Sequence, residues 1–278
     1  MFPFVIVLVL YFVFRSYSYG FASGDTYVWD FSLKKIANTI IWYVVWSLNL
    51  PEALVDFVGP GLNVNPNLWL YWSKQIMPIL ILFGLECVFL ISLLSKALLI
   101  KNQKERLKIN IVSVFCIMWF LTSLAPVVFL PFHKFTFYLT LPLIGVVLRI
   151  SYLLVESKYS NLVICIFLLI WTSLSVLTIQ HTINTNWITQ GEKISKNIYI
   201  FFQANETKMK DKEIIFSDTQ KDATLPWSPT GVVKVAISGE NFFKVFYPEL
   251  TDQIVFGYNK NIIINKSYII TSRTFLGY

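Results

Sequence analysis

The chain has two histidines, His133 and His181, and three cysteines, Cys87, Cys116 and Cys165. His133 stands beside Lys134 in a short break, Phe132-His133-Lys134, with Pro126 and Pro131 before it and Tyr138 after it. A lysine and a histidine in one tight turn suit a phosphate or diphosphate, because lysine offers a point charge and histidine a hydrogen-bond donor. The same pair also suits an interfacial anchor whose lysine reaches up to the headgroups. Glu86 and Arg149 fall inside long apolar runs, where a charge is costly unless it is paired or faces a cavity. They can pair with each other, or Glu86 can be protonated while Arg149 reaches toward the inner surface. Asp25 and Asp30 lie in SGDTYVWD and offer oxygen ligands of the kind a divalent cation prefers. Two solvated loop acids would look the same. The cysteines lie in apolar runs, where a thiol acts as a small hydrophobe. No zinc-ligand spacing, glycine-rich phosphate loop or nucleophile elbow occurs.

Apolar segments must position these side chains. Runs at about 76–100, 109–131, 135–155 and 161–180 each approach the roughly 20 residues that cross about 30 Å of hydrocarbon as a helix. Residues 1–15 add a shorter apolar run that ends at Arg15. No basic stretch precedes it and no small-residue cleavage site follows, so it does not read as a signal peptide. It reads either as a short tilted span or as a helix entered partway along, in an architecture that begins elsewhere. Residues 36–58 carry Trp42, Tyr43 and Trp46, then Asn49, Pro51, Glu52 and Asp56, which suits a helix lying in the membrane interface. The alternative makes 36–58 a span and puts the N-terminus outside. Lys101, Lys104, Arg106 and Lys108 form a short basic loop of the kind kept cytoplasmic. The His133 turn is then outside, residues 156–160 inside, and residues 181–278 extracytoplasmic.

Composition agrees with that organisation. Of 278 residues, 55% are hydrophobic, 17% aromatic and 14% charged, with mean hydropathy +0.60. An ordinary soluble domain is about 25% charged, and a disordered chain is poor in aromatics, so both classes are excluded. The net charge of +7 is spread along the chain, which argues against a nucleic-acid partner. Past Gln180 the periodicity changes. Asn186-Trp187 opens a helix over about 187–204, with Ile194, Ile198, Phe201 and Phe202 at spacings near 3 and 4. EIIFSD (213–218), QIVFGY (253–258) and SYIITS (267–272) read as short strands, with a further helix around 230–240. The expected architecture is a polytopic α-helical membrane protein: a transmembrane helix bundle over 1–185, then a small extracytoplasmic α/β appendage over 186–278. The triplets Asn205-Glu-Thr and Asn265-Lys-Ser matter only in a glycosylating compartment.

The stretch WFLTSLAPVVFLPFHKFTFYLTLPLIGV, from Trp119 onward, resembles the late transmembrane region of polytopic GT-C glycosyltransferases. It is closest to the bacterial protein-mannosyltransferase-like and tetratricopeptide-linked membrane transferases. The residues that carry the resemblance are Trp119, Ser123-Leu-Ala-Pro126, His133-Lys134, Tyr138 and Pro142-Leu-Ile-Gly145, with Asn186-Trp187 downstream. Phe137 and Thr140 stand where that family has an Arg and a second Tyr. The resemblance implies a sugar donor of the polyprenyl-phosphate type and a lipid-phosphate-binding role for His133, Lys134 and Tyr138. In that family the catalytic and metal-binding acids sit in a first external loop, within a chain of roughly twice as many spans. The implied identity is the C-terminal half of such an enzyme, with no catalytic residue assigned in this chain. No cofactor is expected within the chain, while a complete enzyme leaves room for a divalent cation. Another chain could supply the N-terminal half.

Two functions are therefore carried forward. One is sugar transfer from a polyprenyl-phosphate donor at the outer face of the plasma membrane. The other is a non-catalytic, membrane-anchored accessory protein whose external domain binds a partner.

Overall fold

The computed structural model describes residues 2–20, 24, 27–99, 102–157, 159–257 and 267–276. Asp25, Lys101, Lys158, Tyr258 and Asn265 lie outside the described residues. In chain order the helices are α1 (Phe2–Tyr19), α2 (Leu33–Ser47), the single turn α3 (Leu54–Phe57), α4 (Asn67–Leu98), α5 (Gln103–Val128), α6 (Pro142–Glu156), α7 (Asn161–Thr185), α8 (Trp187–Met209), α9 (Pro229–Ala236) and α10 (Asn241–Phe246). The strands are β1 (Val58–Gly59), β2 (Asn63–Val64), β3 (Glu213–Ser217), β4 (Ile254–Phe256) and β5 (Ser267–Thr271).

Three of the described helices are long and apolar enough to cross a membrane: α4, the Arg106–Val128 part of α5, and α7. At 1.5 Å per residue they run about 48, 35 and 37 Å, against about 30 Å of hydrocarbon. Ile81, Leu85, Val88 and Ile91 on α4 and Leu162, Ile166 and Leu169 on α7 are exposed. Apolar faces of this extent mark a membrane-embedded protein. The five spans expected from the sequence are thus reduced. The segment 135–155 is not one continuous helix. A 3₁₀ turn occupies Thr136–Leu139, and Pro142, which has no N–H to give a preceding turn, starts α6. At 15 residues α6 is about 22 Å long. α1 is not among these three. The interfacial helix expected over 36–58 breaks as well. α2 stops at Ser47, Asn49 takes a left-handed φ of 64°, and Pro51 cannot continue the ladder.

Contacts divide the chain into two units, Met1–Leu48 with Ile91–Ser160, and Asn49–Leu90 with Asn161–Tyr278. In the first, α5 and α6 approach closely. The Trp119 Nε1–H donates to the Leu141 carbonyl at 2.9 Å, just ahead of α6. A Cβ on Gly145 would lie 2.8 Å from the Cys116 carbonyl oxygen and 3.2 Å from Trp119 Cδ1. Three residues of the quoted Trp119 to Gly145 stretch therefore form one helix-packing contact. In the second unit, α4 meets α7 through stacked Phe89 and Phe167, 4.5 Å between ring centroids, and through Gln75 Oε1 and His181 Nδ1 at 2.9 Å.

The same unit holds the sheet. Asn186 caps α8 by accepting the Ile188 N–H at 2.9 Å, and the helix runs on to Met209, past the expected end near 204. Ile194, Ile198, Phe202 and Met209 form its buried stripe. The three expected strands are present in a parallel sheet of order β4-β3-β5, with Ile214 registered against Ile254 and Tyr268. β3 is central, and Ile214, Ile215 and Phe216 are fully buried, as a strand covered on both faces requires. α9 and α10 form the link from β3 to β4 and add Val233 and Phe243 to the core.

Glu86 is fully buried in α4, and neither of its carboxyl oxygens has a hydrogen-bond partner among the described residues. Arg149 Nη1, in the other unit, likewise has no hydrogen-bond partner among the described residues.

Candidate functional site

α5 ends at Val128, and a tight turn follows in which the His133 N–H donates to the Leu130 carbonyl at 3.0 Å, with Pro131 at the second position. The 3₁₀ turn then brings Tyr138 back, so that His133 Nε2 and Tyr138 Oη lie 3.0 Å apart. The imidazole is packed under the Tyr27 ring at 3.9 Å and against the edge of Phe135 at 4.8 Å. It is only 7% exposed. That burial holds the His133 pKa below its ordinary value, because the charged form loses hydration. At neutral pH His133 is therefore a neutral hydrogen-bonding group.

Lys134 donates from Nζ to Asn38 Oδ1 on α2 at 3.2 Å. A second lysine is nearby. Lys35 Nζ lies 5.0 Å from the Phe132 ring centre and 2.6 Å from Asp30 Oδ2. Asp30 also accepts the Ser32 N–H through Oδ1 at 2.8 Å, starting α2, and its own N–H donates to the Phe129 carbonyl at 2.9 Å. The Lys35 ammonium, then the Ser32 contacts, pull the Asp30 carboxyl down to about 2.

The three residues expected to bind a lipid phosphate thus share one turn, with His133 and Tyr138 in contact and Lys134 directed to α2. Tyr27, Asp30, Lys35 and Asn38 also reach this turn and were not read as part of it. Lys34-Lys35 at the start of an aromatic helix was the available signal, because cations at a helix N-terminus oppose the macrodipole. Asp30 is paired with Lys35, and Asp25 lies outside the described residues. No group of three or more His, Cys, Asp or Glu side chains able to hold a metal occurs among the described residues. His181, the other boundary histidine, is buried in α7 on Gln75.

A second polar cluster lies at the carboxyl ends of β3 and β5, where parallel sheets commonly bind ligands. Here side chains occupy that edge. Asp218 Oδ1 accepts the Thr230 N–H and hydroxyl, both at 2.7 Å, and Thr230 Oγ1 meets Ser272 Oγ at 2.7 Å. Asp222 accepts the Thr219 N–H at 2.7 Å and Arg273 Nη1 at 3.1 Å. The Arg273 guanidinium lies 4.4 Å from the Tyr71 ring centre, and Asn67 Nδ2 donates to Thr224 Oγ1 at 2.9 Å. These contacts fasten the sheet to the start of α4. Asn205 of the first glycosylation triplet donates to the Phe201 carbonyl inside α8 at 2.9 Å, which is a helix-interior position. Comparison of the chain with protein-family models, with curated proteins and with solved structures gives no match, so the site is read from its own geometry.

Proposed function

We propose that the chain works as a GT-C-like membrane glycosyltransferase, or as the C-terminal part of one, using a polyprenyl-phosphate sugar at the outer membrane face. The observation that carries this reading is the 132–138 turn, where Lys134, His133 and Tyr138 gather beside exposed Phe132 and Phe137. In the transfer step the bond from the anomeric carbon to the phosphate oxygen breaks. An acceptor oxygen takes the carbon, and the polyprenyl phosphate leaves as an anion. Lys134 offers that anion a positive charge, and the His133–Tyr138 pair has one proton beyond its mutual hydrogen bond to donate, which favours the state in which charge develops. The group that activates the acceptor is assigned to no residue here. The positive-inside rule favours an inner position for Lys104, Arg106 and Lys108, and the turn at the far end of α5 is then on the outer side.

The test is transfer from a radiolabelled polyprenyl-phosphate sugar by membranes carrying the full protein and any chain that completes it. The double variant H133A/K134A should lose at least ~100-fold in turnover, the scale seen when a stabilising donor is removed. Unchanged turnover overturns the reading. A second reading, a partner-binding accessory protein, is favoured by a groove of 590 Å³ on α8–α10 lined by Tyr199, Phe242, Val245 and Phe246. Under that reading F246E abolishes co-purification of a partner and H133A/K134A does not.

A further inference from the structure

Lys134 is not the sole cation at the turn. Its ammonium rests on Asn38, and Asn38 lies three residues beyond Lys35 on α2. Side chains three apart share a helix face, with Cβ atoms about 5–6 Å apart. Lys134 thus reaches the face of α2 that carries Lys35, whose ammonium stands over Phe132. His133 adds hydrogen bonding but no charge, so an anion at this turn depends on the lysines. In the present state Lys35 is engaged by Asp30 at 2.6 Å. Phe31, Leu33, Phe132, Phe137 and Leu141 of the same unit, which flank Lys35 and Lys134 in sequence, are each more than half exposed.

We propose that Lys35 and Lys134 together form a two-cation site for the phosphate or diphosphate headgroup of a lipid, with Asp30 as a built-in anion that the headgroup displaces from Lys35. The proposal rests on the reading of the 132–138 turn as a lipid-phosphate site and names the groups that give it charge. Phosphate oxygens take charge-assisted hydrogen bonds from both ammonium groups. The lipid tail covers these exposed apolar side chains. Asp30 keeps its second task when Lys35 leaves, since Oδ1 still accepts the Ser32 N–H and α2 still starts at the same place. Lys34 and Lys35 sit in the first turn of α2, at the positive end of its dipole, and an incoming anion relieves that repulsion.

The test uses the full chain in detergent, titrated with a polyprenyl phosphate and read by native mass spectrometry, with inorganic diphosphate as competitor. K35Q keeps the stem over Phe132 and should weaken lipid binding about tenfold, the loss of one charge-assisted contact. K35R should restore it. D30N keeps an oxygen for the Ser32 N–H and should tighten binding when Lys35 is present, with no effect in the K35Q background. If K134A weakens binding while K35Q and D30N leave it unchanged, the two-cation site is overturned and the turn keeps its role. If K134A, K35Q and D30N all leave binding unchanged, the turn itself is no phosphate site and both readings fall. Inorganic diphosphate binding as tightly as the lipid would overturn the lipid assignment.

Discussion

His133 has one ring nitrogen on Tyr138, a tyrosine ring over its face and a phenylalanine at its edge, and that environment sets its charge. Its folded-state pKa lies below the unfolded value of about 6.5. The unfolded chain therefore binds more protons in the window just below 6.5, and stability contributed by neutral His133 is lost as pH falls through that window. Above it the contribution is fully present. Thermal unfolding of the full chain in detergent at pH 7.5 and pH 5.5 should show a larger loss for the wild type than for H133Q, which cannot titrate. An equal loss in the two proteins would mean that His133 is not held neutral. Asp30 behaves in the opposite sense. Its carboxyl is pulled down to about 2 by Lys35, so that pair persists through the whole range in which His133 titrates. Cation count at the turn over that range is then decided by Lys35 and Lys134, and by His133 only under acid.

At the scale of elements, the α5–α6 contact is the tightest in the first unit, and Gly145 makes it so. Ala at 145 would push its Cβ to 2.8 Å from the Cys116 carbonyl, a backbone atom that cannot swing aside. G145A should destabilise by about 1–3 kcal/mol, the usual range for overpacking. A thermal midpoint equal to wild type would show that the helices separate freely. Elements of this kind differ in how much the sequence reveals. The strands 213–217, 254–256 and 267–271 were legible because short runs of Ile, Val and aromatics between turn residues have few other uses. The cap at Asn186 was legible for the same local reason. α6 was not, because FTFYLTL is as apolar as a span, and hydropathy does not register that Pro142 sets a helix start. α10 also went unread, since a six-residue helix is too short to show a period. The candidate site was half legible. His133, Lys134 and Tyr138 are neighbours in sequence, whereas Lys35 and Asn38 reach them across about 100 residues, a proximity that only tertiary packing creates.

At the scale of the whole molecule, the short helix α6 decides which side of the membrane the sheet occupies. From Lys104 the chain passes along α5, α6 and α7 before it reaches α8. α5 and α7 are long enough to cross. α6 alone is about 22 Å, but with the 3₁₀ turn at Thr136–Leu139, at about 2.0 Å per residue, the segment reaches roughly 30 Å. If that segment crosses, Lys104 and Thr207 face opposite sides. If α6 turns back, they face the same side. Single cysteines at Lys104 and at Thr207, both exposed positions, in a chain with Cys87, Cys116 and Cys165 replaced, report this through a membrane-impermeant maleimide applied to intact cells. With the basic loop inside, as the positive-inside rule expects, and the α6 segment crossing, the expected result is labelling at Thr207 in intact cells and at Lys104 only after permeabilisation. Protection of both positions would put α8 to α10 and the sheet in the cytosol. The phosphate turn would still stand across α5 from Lys104, because one crossing of α5 separates them whichever way α6 runs. Labelling of Lys104 in intact cells would invert that side, and an outer-face lipid donor could then not reach Lys134.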